Sequence, residues 1–131
     1  MVLALAGLLL VGTGLYFVFM RPELLPEDLR YMGTTMENVK LNTPGLLNWL
    51  QKVFLVMGGF IFTTGLLILF ISVTSFKTRL PGTFTIAALS GISSIGLMTG
   101  VNYIIGSDFK LPLLALTLLW VFALVLYRFN K

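Results

Sequence analysis

The chain has 131 residues, 57% of them hydrophobic and only 11% charged, with a formal net charge of +4. Soluble domains carry about 25% charged residues, so a water-facing globular surface is excluded and the lipid bilayer is the expected principal partner. The absence of cysteine removes disulfides and thiolate chemistry. The absence of histidine removes the commonest general base, metal ligand and haem ligand.

The first apolar block covers residues 2–20 and holds no charge. About 20 apolar residues cross a bilayer core of roughly 30 Å. The block has neither a basic leader nor a small-residue cleavage site, so it is read as a retained span. A second span is expected over 44–73, a third over 83–105 and a fourth over 111–127. Unbroken apolar runs of this length lack the alternation of barrel strands, which makes them helices. The predicted fold is therefore all-α: one transmembrane domain, residues 1–131, built as a four-helix bundle.

The connector 21–43 differs in kind from the other links. Pro26-Glu27-Asp28 is a helix start, with proline at the first position and acids at the positive end of the dipole. Leu29, Met32, Met36 and Val39 then recur at helical spacing. A short amphipathic helix lying at the interface is predicted, and Gly33 is the residue expected to break it into two pieces if it breaks. Thr43-Pro44-Gly45 begins the second span, whose first turns carry Trp49 and Lys52 as interfacial anchors. Loop 74–82, with Pro81-Gly82, and the turn 106–110 are short, so the spans they join are antiparallel.

No span carries an ionisable Asp, Glu, Lys or Arg in its interior. Proton-coupled carriers keep such groups at membrane depth, so that class is disfavoured. The third span is the most polar. Ser90, Gly91, Ser94 and Asn102 gather on one side with Ala87, and Thr99 lies close by. These residues read either as a helix-packing seam, since small side chains let helices approach, or as a polar path. Gly58-Gly59, Thr63-Thr64 and Gly65 on the second span read as packing surface. Glu23, Glu27, Asp28 and Asp108 share one side of the membrane, where pairing with Arg21 and Arg30 at the surface is expected. No catalytic residue, metal site or cofactor is assigned, and no basic face suggests nucleic acid.

The run Arg21-Pro22-Glu23-Leu24-Leu25-Pro26-Glu27-Asp28-Leu29-Arg30-Tyr31-Met32-Gly33, with Ser107-Asp108-Phe109-Lys110 before the last span, resembles small uncharacterised four-span proteins of bacterial inner membranes. The general layout is loosely similar to the DoxX-like membrane proteins. The resemblance implies location and fold, and no chemistry.

The expected function is non-enzymatic: an accessory or assembly subunit of another membrane protein, or a self-associating bundle. The alternative is a passive conduit or carrier for a small neutral or amphipathic molecule along the third span. With four spans, both termini and loop 74–82 share a side that carries Lys77, Arg79, Arg128 and Lys131 and no acid. The opposite side spreads Arg21, Arg30, Lys40, Lys52 and Lys110 over longer segments that also carry acids. Basic density in short segments marks the cytoplasmic side. Reporters fused after Lys131 and within 34–41 are expected to report the cytoplasm and the opposite face, respectively. A shared side would contradict four spans.

Overall fold

The computed structural model describes residues 1–129, so Lys131 of the orientation argument lies outside the described residues. The elements are α1 (Val2–Phe19), α2 (Pro26–Met32), α3 (Met36–Asn42), α4 (Leu46–Val73), α5 (Thr83–Gly91), α6 (Leu97–Ile104) and α7 (Lys110–Phe129). One turn of π-helix, Ile92–Gly96, joins α5 to α6 as a single span. Four helices are long and apolar enough to cross a membrane, so this is a multi-pass helical bundle. Their bounds lie within about two residues of those predicted. Pro112 falls in the first turn of α7, where a missing N–H costs little.

Helices α1 and α4 run antiparallel and touch along their backbones. Gly7 and Gly14 on α1 face Gly65 and Gly58 on α4, and both pairs are seven residues apart. A Cβ on Gly14 would lie 2.7 Å from Cα of Phe62, and one on Gly65 would lie 2.6 Å from the backbone nitrogen of Val11. A Cβ on Gly58 would lie 2.9 Å from the carbonyl oxygen of Gly14. A seven-residue repeat keeps one face of each helix against its partner. Lipid supplies no hydrophobic drive between helices, so close backbone contact is a main source of attraction here.

The third span packs on α7 through a buried stripe, Ala87, Gly91, Ile95 and Thr99. A step of four residues overshoots an α-helical turn by about 40°, so three such steps would carry Thr99 about 120° from Ala87. The wider π turn between them takes up that excess and holds the stripe on one face. Trp120 of α7 is buried, and its Nε1 donates to the carbonyl of Ala87 at 3.0 Å. Gly91 makes room for this indole, since a Cβ there would lie 2.8 Å from its Cδ1. Lower down, the hydroxyls of Thr99 and Thr117 are 2.7 Å apart, and that of Thr99 donates to the carbonyl of Leu113 at 3.1 Å.

Helix α1 also packs against α7, which orders the spans as α4, α1, α7, then α5–α6. The loop 74–82 makes α4 and the third span antiparallel, yet these sequence neighbours barely meet. A gap remains between them.

The connector forms two seven-residue helices where one amphipathic helix was predicted. Gly33 adopts φ 66°, and the N–H groups of Gly33 and Thr34 bond back to the carbonyls of Arg30 and Leu29. These bonds close α2 in a left-handed glycine cap. Thr35 then caps α3 by accepting from the N–H of Asn38. The break divides the expected apolar face. Val39 is buried, Leu29 and Met36 are half-buried, and Met32 is exposed. Trp49 is exposed on the first turn of α4, a position suited to an interfacial anchor. The side chain that α2 turns fully inward is Glu27.

The glycine contacts generate a stability test. Gly14→Leu and Gly91→Leu drive atoms into a backbone and an indole that cannot retreat. Each is expected to cost about 3 kcal/mol or more, the upper end of overpacking effects. Gly12, with open space around its Cβ position, is the control: Gly12→Leu should stay within about 0.5 kcal/mol. Reversible unfolding in mild detergent measures all three, and equal losses would contradict the packing account.

Candidate functional site

The site lies where the connector crosses the end of the bundle. Helix α1 ends with the N–H groups of Met20 and Arg21 both donating to the carbonyl of Tyr16. This delivers Arg21 beneath the start of α2. Its Nη1 donates to the carbonyl of Pro22 at 2.9 Å, and its Nη2 meets Oδ2 of Asp28 at 3.3 Å. The guanidinium carbon lies 3.5 Å from the ring centre of Phe54 on α4 and 5.3 Å from that of Phe17 on α1. Such stacking suits a planar cation removed from water. Burial pushes the guanidinium below its ordinary pKa, and Asp28 works in the opposite direction. Arginine stays cationic under either influence.

Asp28 also accepts the N–H of Leu25 at 2.8 Å, capping α2. Successive helical residues point about 100° apart, so with Asp28 committed to the cap Glu27 falls on another face. That face is the interior, where Glu27 is only 2% exposed. Its Oε1 accepts the hydroxyl of Ser107 at 3.0 Å, across 80 residues of sequence.

Ser107 is set by the turn after α6. Gly106 takes φ 66°, and the N–H of Ser107 bonds back to the carbonyl of Asn102 at 2.9 Å. The Ser107 hydroxyl also accepts the N–H of Phe109 at 3.1 Å. An exposed pair, Arg30 and Asp108 at 3.3 Å, lies outside this contact. Surface pairing of the acids was expected. Asp108 follows it, Asp28 pairs in a largely buried setting, and Glu23 and Glu27 are corrections because neither forms an ion pair among the described residues.

Beneath α2 lies a cavity of about 630 Å³. Arg21, Glu27, Asp28, Asn102 and Ser107 border it with polar groups. Phe17 and Phe54, then Met57, Leu97 and Val101, make its walls apolar. A second cavity of about 560 Å³ shares Met57, Leu97 and Met98 with the first and extends past Phe60, Thr64 and Ser94. Together they form a groove between α4 and the third span, floored by Leu10, Gly12, Thr13 and Tyr16 of α1.

The five third-span residues singled out from sequence do not converge. Gly91 and Thr99 lie in the buried seam with α7. Ser94 borders the second cavity and bonds back to the carbonyl of Ser90, which borders neither cavity. Asn102 borders the first cavity while its Nδ2 donates to the carbonyl of Met98. Leu29, Met32, Met36 and Trp49 line neither cavity. Sequence reasoning missed Phe54 and the inward turn of Glu27. The available signal was the adjacent pair Glu27-Asp28 at a helix start, where one acid caps and the other must face elsewhere. Comparison with protein-family models, with curated proteins and with solved structures gives no match to the chain.

Proposed function

We propose that this membrane protein is a non-enzymatic carrier or conduit that holds a small amphipathic molecule in the groove between α4 and the third span. The cavity carries this reading. At about 630 Å³ it falls within the roughly 300–1,000 Å³ of small-molecule sites, which pair apolar walls with a few placed polar groups. Its polar end lies under the connector and its apolar walls lie along the spans, which matches a head at the interface and a tail at membrane depth. Binding is favoured over catalysis because the chain has no histidine or cysteine. Placement in a bacterial inner membrane with both termini cytoplasmic belongs to the same proposal, supported by the basic loop 74–82.

The rival reading, an accessory subunit docked through small-residue faces, has less support. Gly58, Gly65 and Gly91 are occupied within the chain. The test is purification of the full chain in mild detergent, with mass spectrometry of the small molecules that accompany it. An amphipathic molecule should accompany the unaltered chain in near-stoichiometric amount. Leu97→Trp, which fills the groove where the two cavities join, should deplete it at least about tenfold without lowering thermal stability. Equal amounts with both proteins would overturn the reading.

A further inference from the structure

We infer that the groove selects amphipathic molecules with a cationic head, such as a protonated amine, bound at Glu27. The inference rests on the proposed groove and adds the chemistry of its occupant. Three charged side chains border the cavity, Arg21, Asp28 and Glu27. Arg21 and Asp28 satisfy each other, and the rings of Phe17 and Phe54 cover the guanidinium. Glu27 forms no ion pair among the described residues, and its charge reaches Arg21 only from beyond ion-pair distance. Its hydrogen bond from Ser107 is the only one its side chain makes among the described residues.

The second carboxyl oxygen of Glu27 is the informative atom. Among the described residues no fully buried side-chain oxygen or nitrogen lacks a partner. That oxygen makes no hydrogen bond, so it keeps a small exposure although the residue is only 2% exposed. Glu27 is one of the residues that border the cavity, and we place that exposure there. An acid withdrawn from water and left with one neutral donor is costly unless a further partner arrives. A cation entering from the groove supplies that partner. An anionic head would meet Glu27 and Asp28 with Arg21 already engaged, and a neutral head would gain only a hydrogen bond. Charged hydrogen bonds are roughly twice as strong as neutral ones, which sets the expected order of binding.

The experiment titrates dodecylammonium, dodecanol and dodecanoate, three heads on one chain length, into the full chain in a non-ionic detergent at neutral pH. Binding is followed by calorimetry. Dodecylammonium should bind at least about tenfold tighter than dodecanoate, with dodecanol between them. Glu27→Gln keeps an acceptor for Ser107 and should reduce that preference to about twofold or less, leaving dodecanol nearly unchanged. If Glu27→Gln fails to fold, the order of the three probes on the unaltered chain still decides. Equal binding of the three, or a preference that survives Glu27→Gln, would overturn the head-group inference while leaving the groove reading standing. No saturable binding of any probe would overturn both.

Discussion

The backbone contact between α1 and α4 shapes the rest of the molecule. In a bilayer an apolar side chain gains little by leaving lipid for protein, so helices associate where backbones approach and polar groups bond across them. Gly7, Gly14, Gly58 and Gly65 provide that approach on one pair of helices. Ala87, Gly91 and the Thr99–Thr117 contact provide it on the other, between the third span and α7. Each strong seam uses one face of each helix. The α4 face that meets α1 is no longer free for the third span, and the stripe of the third span is turned to α7. The groove is what the two seams leave between them.

The connector closes one end of that groove and concentrates its charge there. Arg21, Asp28 and Glu27 are gathered at the end of the bundle, outside the four long apolar helices, so the groove-lining residues of the spans themselves are uncharged. Fixing the connector also takes bonds distant in sequence: Arg21 on the ring of Phe54, and Ser107 on Glu27. These contacts tie α2 to α1, to α4 and to the α6–α7 turn together. The polar end of the groove is therefore built by pieces that each belong to a different part of the bundle.

The four spans were legible because their signal is local, a run of apolar residues as long as the bilayer is thick. The break at Gly33 and the start at Pro26 were legible in the same way, through turn and cap chemistry, whereas the start capped by Thr35 was not read. The amphipathic face was not, because the left-handed turn at Gly33 changes the direction of α3 relative to α2 and divides Met32 from Val39. Gly91 and Ser94 look alike on a single helix. Only the position of Trp120 puts one in a seam, and only the distance of α4 puts the other beside a cavity. Glu27 and Asp28 likewise differ only in what the fold brings to them, a backbone N–H for one and Ser107 for the other. Seven-residue glycine spacing on residues 7–14 and 58–65 was present in the chain, but its meaning depends on which helices pair.

If the groove between α4 and the third span holds an amphipathic molecule, it should admit acyl chains while the seam with α7 stays closed to them. Tryptophan quenching by brominated acyl chains measures both at once. With Trp49→Phe, Trp120 is the only tryptophan and, at 1% exposure, should keep its emission in brominated bilayers. Adding Met98→Trp should introduce a second emission that brominated chains quench strongly. Strong quenching of Trp120, or an added tryptophan at 98 that the bromines do not reach, would contradict the account.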